Sequence, residues 1–221
     1  MKHTLLAAAF CVGAASSAQA STLVDFSAFS AGDVVSGAFD FGGGLTGMLT
    51  ATGGIGDAVI FDTNNVTGGD FDLGSPVTNV DNAADVRNFG NVLIVQENAG
   101  APDDAVGGTL TFVFDNPIIL ESIALLDVEE GTSIFDEDGQ IATGGVDNSG
   151  LVNAAGDGDG PNQFIEFTFT NESLTTLTVD FAGSGAVGEF RASVVPVPAA
   201  LPLLIGGLGL MGYVGRRRKK S

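Results

Sequence analysis

A strict two-residue alternation, repeated along the second half of the chain, leaves this sequence few ways to fold. Residues 109–115 place Leu110, Phe112 and Phe114 on one side and Thr109, Thr111 and Val113 on the other. Successive side chains of an extended strand point to opposite faces, so the pattern describes a strand with one buried and one wet face. Residues 163–170 repeat it through Ile165, Phe167 and Phe169. Residues 173–181 do so through Leu174, Leu177, Val179 and Phe181, with a turn or bulge between the first two. The runs 91–96 and 118–128 are almost wholly apolar, which predicts strands covered on both faces. Gly107-Gly108, Asn116-Pro117, Glu130-Gly131, Gly144-Gly145, residues 157–160 and residues 183–185 supply turns between them. A helical period is missing, apart from one candidate turn over 82–88. Strands at this spacing without helices predict an all-β fold, a single β-sandwich of jelly-roll type. Residues 21–75 carry only short strand-like pieces, and the Asn, Asp and Gly of 62–88 predict long loops.

The domain so predicted spans 21–195, because both ends of the chain read as processed or sorted segments. Lys2 and His3 precede an apolar run from Leu5 to Ala15, and Ala18-Gln19-Ala20 sets small residues at the positions a signal peptidase reads. Residues 1–20 are therefore expected to be a signal peptide cut after Ala20. Eleven apolar residues are too few to cross about 30 Å of hydrocarbon as a helix. At the other end residues 199–215 form a short transmembrane span. Behind it Arg216, Arg217, Arg218, Lys219 and Lys220 act as a stop-transfer signal that keeps the tail cytoplasmic and the domain outside.

Removing the leader takes away Cys11 and His3, the one Cys and one His of the sequence. Within 21–195 the basic residues are Arg87 and Arg191, set against all 27 carboxylates, a net charge of −25. Such a surface repels nucleic acid and attracts divalent cations, cationic partners or neutral polymers. With no imidazole, thiol or lysine in that span, nucleophilic triads, zinc centres and Schiff-base chemistry have no side chains to work with. Carboxylate chemistry remains, such as a glycosidase pair of acids, but the Trp and Tyr that stack sugars are absent from the domain. The expectation is a protein that is not an enzyme. Arg87 and Arg191 are expected to form internal ion pairs that fix a loop and the last strand.

Valine, proline and alanine at the membrane edge carry a resemblance. Val195, Pro196, Val197, Pro198 and Ala199 stand directly before the apolar stretch and its basic tail. Residues 196–221 with this motif resemble the PEP-CTERM sorting signal of bacterial exported proteins, in its Val-Pro-Leu-Pro-Ala variant with Val197 in place of Leu. The resemblance implies recognition by an exosortase, a membrane protease-transpeptidase, in organisms that make exopolysaccharide. It implies a final place at the cell surface or in the extracellular matrix. Residues 102–104 leading to 107–114, with 125–127, 136–139 and 183–187, also resemble a module recurring in surface proteins with such tails.

Calcium is the cofactor the composition allows, since it takes six to eight oxygen ligands from carboxylates and carbonyls on turns. Asp157 and Asp159 stand two apart with Gly behind each, as do Asp136 and Asp138 before Gly139, and Asp103-Asp104 pairs two acids on a turn. Residues 136–139 also fit a hairpin turn between 133–135 and 140–142, where Asp-Gly supplies positive φ. The expected role is adhesion or binding to exopolysaccharide, in one form through calcium bridging acidic loops to polymer.

Overall fold

The computed structural model describes residues 20–104, 106–128, 131–144 and 162–195. The leader, Pro196 to Ala199 of the sorting motif, the apolar span, the basic tail, and Asp157 and Asp159 lie outside them. Residues Ala20–Val195 form one compact unit. It is all-β: among the described residues there is no α-helix, and none is long and apolar enough to cross a membrane.

Two long antiparallel strands organise the unit, β8 (Gly108–Leu126) and β11 (Gln163–Phe181). Each was expected as two strands separated by a turn. They stay paired from Phe164↔Leu126 at one end to Phe181↔Gly108 at the other, with register shifts between Thr168 and Glu172 and between Leu174 and Thr176. Residues 115–117 of β8 are all exposed. Pro117 cannot donate to a ladder, so the Asn116-Pro117 signal is real but makes a corner rather than a chain reversal. Doubling over at that corner brings Gly108 and Leu126 to the same end. There the short loop 182–185 links Phe181, the partner of Gly108, to Ala186, the partner of Leu126.

Each half collects its own neighbours. The half beyond Leu174 pairs β8 with β3 (Thr46–Thr52), which carries β2 (Gly37–Asp40). It also pairs β11 with β9 (Thr132–Phe135), which carries β10 (Gln140–Gly144). The other half pairs β8 with β12 (Ala186–Val194), flanked by β1 (Thr22–Val24), β7 (Asn91–Val95) and β4 (Ala58–Asp62). On its far side β11 takes β5 (Val77–Asn79) in parallel, and β5 takes β6 (Asn82–Arg87). The candidate helical turn over 82–88 is thus strand β6: its pairing with β5 outweighs a weak local period.

The two halves face each other across a core that joins Leu110, Phe112 and Phe114 to Leu93, Ile123, Leu125 and Phe190. Phe112 and Phe190, from opposite halves, meet edge-on at 5.6 Å, and Phe39 and Phe41 stack at 4.6 Å. A second core lies on the outer side of β4, β7 and β8, where Val59, Phe61, Val92, Ile94 and Leu126 pack under Leu73 and Val77. Residues 62–88, expected as loops, cover this face. That cover is why 92–95 reads apolar at every position.

Arg87 pins the cover. Glu166, Ala124 and Glu189 stand in one cross-strand row, and the small Ala124 leaves room between the two acids. The guanidinium bonds Glu166 at 2.7 Å, Glu189 at 3.3 Å and Asp85 at 2.8 Å, and lies 4.8 Å from the Phe164 ring centre. The expected internal ion pairing is seen here. Arg191 is exposed and forms no such pair among the described residues.

The pairing Thr22↔Ala192 fixes where the chain enters and leaves. Ala20 and Val195 emerge at one pole, beside Pro117, whose carbonyl accepts the Val195 N–H at 2.8 Å. The loops 53–57, 96–107 and 182–185 gather at the opposite pole.

Candidate functional site

Acid residues without a basic neighbour collect at that opposite pole. Asp104 is wholly buried. Its two oxygens accept the N–H groups of Gly107 at 3.0 Å and Gly185 at 3.2 Å, which ties the approach to β8 to the turn before β12. The Asp104 N–H in turn donates to Asp70 at 2.8 Å, and Asp70 is 7 % exposed. Asp127, 2 % exposed with φ of 52°, accepts the Ser184 hydroxyl. Four separate stretches of chain are therefore fastened through carboxyl groups.

Electrostatics follow from that burial. Desolvation pushes Asp104 up to about 8, against the pull of the Gly185 and Gly107 N–H groups and with a push from the Asp70 and Asp127 charges. Burial lifts Asp70 to about 6, and the adjoining Asp103 carboxylate adds to the rise. Asp72 is raised by burial and by Asp127. At neutral pH Asp104 holds a proton, so this cluster is a set of neutral and charged acids rather than five bare carboxylates.

Of the sequence candidates, Asp103 and Asp104 lie here but face different partners: Asp103 accepts from the Asn98 amide at 2.7 Å. Asp136 and Asp138 lie far away along β11, in the turn between β9 and β10. There Asp136 caps the N–H groups of Asp138 and Gly139, both at 2.8 Å, which is the hairpin geometry. Glu137 of the same turn reaches across to the Thr175 and Thr176 N–H groups at the β11 bulge. Glu172, beside them, is raised by burial and by Asp136. Among the described residues no three His, Cys, Asp or Glu converge in a group that could hold a metal ion. Asp70 and Asp127, 34 residues before and 23 after Asp104 in the chain, carry no local motif, and only the fold brings them to it.

On the far side of the 96–104 loop is an open pocket of about 200 Å³. Val34, Ile55 and Pro102 give it apolar lining, and Asp57 and Asn98 give it polar lining. Gln96, 4 % exposed, was not a sequence candidate. Its amide donates to the carbonyls of Asn98 at 2.6 Å and Ala101 at 3.1 Å and accepts the Asp103 N–H at 3.3 Å. One buried side chain thus shapes both the pocket wall and the acid cluster.

Comparison of the chain with protein-family models, with curated proteins and with solved structures gives no match.

Proposed function

We propose that this chain is an exported, non-enzymatic cell-surface or extracellular-matrix protein, sorted by an exosortase-like protease at residues 195–199 and associated with exopolysaccharide. Residues 21–195 act in it as one jelly-roll-like β-sandwich. The observation that carries the reading is the pairing of β1 with β12. A domain whose entry and exit share one pole, with its acidic loops at the other, is suited to being held at its tail and presented outward. Mass spectrometry of the protein recovered from the cell surface tests the sorting step. Loss of residues 216–221 is the expected result, and an intact basic tail overturns it. Retention of the full chain on isolated exopolysaccharide tests the association, and release of reducing sugar by the protein would overturn the non-enzymatic reading.

A second reading is a calcium-dependent carbohydrate-binding or adhesion module. What favours it is that Asp70, Asp72 and Asp103 share one pole with no basic side chain beside them, although among the described residues no three acids already converge as a metal-holding group. A ligand that binds only the folded state raises the melting midpoint. Millimolar calcium should raise it in wild type and not in Asp70→Asn, and an unchanged midpoint in wild type refutes calcium binding.

A further inference from the structure

The pocket at the loop pole is assembled from three stretches of backbone that hold one another. Val35 N–H donates to the Ala58 carbonyl at 2.9 Å, Ile55 N–H to the Gln96 carbonyl at 2.9 Å and Gln96 N–H to the Asp57 carbonyl at 2.8 Å. The Gln96 amide closes the fourth side by fastening residues 98–101. The walls are therefore set before any ligand arrives, which lowers the entropic cost of binding. Val34 and Ile55, 58 % and 49 % exposed, turn aliphatic surface outward in the same lining. The Asp57 carboxylate has no hydrogen-bond or ionic partner among the described residues.

Size and charge narrow the occupant. About 200 Å³ is smaller than the roughly 300–1,000 Å³ of sites for drug-sized molecules, so one small ring fits. Aliphatic walls suit the C–H face of such a ring. A carboxylate and an amide in the lining suit hydroxyl groups, which can donate to one and exchange hydrogen bonds with the other. The carboxylate, on a domain of net charge −25, repels anions. We infer that this pocket is a subsite for one neutral pyranose unit of a polysaccharide, with Asp57 accepting from a ring hydroxyl and Val34, Ile55 and Pro102 against its apolar face. The inference rests on the polysaccharide reading and names where that polymer would be held. Without an aromatic platform the affinity belongs in the millimolar range.

Saturation-transfer NMR on the full chain, with calcium chelated, tests it using methyl glucoside, methyl galactoside and methyl mannoside, and glucuronate as the charged control. Saturable transfer from at least one neutral glycoside is expected, with glucuronate at least about tenfold weaker. Asp57→Asn should weaken the neutral ligand about tenfold, and Ile55→Asp, at an exposed position that leaves the core intact, should abolish transfer. No saturable transfer from any of the three, or equal transfer in wild type and both variants, overturns the subsite. Should polysaccharide still be retained equally by wild type and variants, the subsite falls while the polymer reading stands. Failure of wild type to retain the polymer, with glycoside transfer present, removes the polymer reading instead.

Discussion

Raising the pH should loosen this protein in a window where most proteins change little, and Asp104 is the reason. Its carboxyl holds a proton in the folded state up to about pH 8, whereas in the unfolded chain it releases that proton near 3.9. The folded state therefore binds more protons between these values, and stability falls as pH rises through them, at about 1.4 kcal/mol per pH unit. From pH 6 to pH 9 the loss comes to about 2.5 kcal/mol, nearly complete by pH 8.5, once the flattening around a pKa of about 8 is included. Asp70, raised to about 6, adds a smaller loss of the same sign at the acid edge of the window. Composition adds no residue type that ordinarily titrates in this window: residues 21–195 contain no His, Cys, Lys or Tyr. Urea unfolding of the full chain at a series of pH values, with divalent cations chelated, reads the slope directly. In thermal terms the loss is a fall in midpoint of about 5–10 °C. Asp104→Asn shifts the baseline, because its NH₂ must oppose one of two backbone N–H groups, but it removes the titration. A flat profile from pH 6.5 to 9 in wild type, or an equal slope in Asp104→Asn, would refute the reasoning.

Three further outcomes follow from the packing. Arg87→Leu strands Asp85, Glu166 and Glu189 beside one another and should cost about 2 kcal/mol in urea unfolding at pH 7, with the deficit shrinking in acid because Arg87 holds the Asp85 carboxyl below its ordinary value in the folded state; a loss that does not change with pH argues against the ion cluster. Phe112→Ala empties the contact between the two halves of the sheet and should cost about 4 kcal/mol, and a loss under 1 kcal/mol would mean that the halves do not pack there. Gly107 has φ of +69° and a Cβ there would meet the Gly183 carbonyl oxygen, so Gly107→Ala should cost about 3 kcal/mol, while Gly139→Ala, strained in φ but facing open space, should cost about 1 kcal/mol.

Local pattern revealed the strands and their faces but not how they are joined. Leu110, Phe112, Phe114, Leu177 and Val179 are buried as the alternation required, and Asp136 to Gly139 is the turn its Asp-Gly pair favoured. The corner in β8 was misread because Asn116-Pro117 marks a break in direction without saying how far the chain turns. That depends on β11 following it round, and β11 lies some 50 residues further on. Residues 62–88 have the Asn, Asp and Gly content of loops, and that composition hides their role. Leu73 and Val77 instead reach down to a face whose need for cover was visible in 92–95. Asp103 and Asp104 drew attention as a pair, yet the chemistry of Asp104 comes from Asp70, Gly107 and Gly185. The pocket was illegible for the same reason: its walls come from residues 34, 55–57 and 96–102, none of which forms a motif alone.

The shared pole of Ala20 and Val195 also has a mechanical meaning. Strand β12 runs from Ala186, beside the acidic loops, to Val194, beside the exit of the chain. A pull on Val195 against a polymer gripped at the far pole is directed along that strand, at right angles to its hydrogen bonds with β8. Those bonds are then sheared together, from Ala186↔Leu126 to Val194↔Ile118, whereas a sideways pull would peel them one after another. A domain pulled between these two poles meets tension along its most resistant direction.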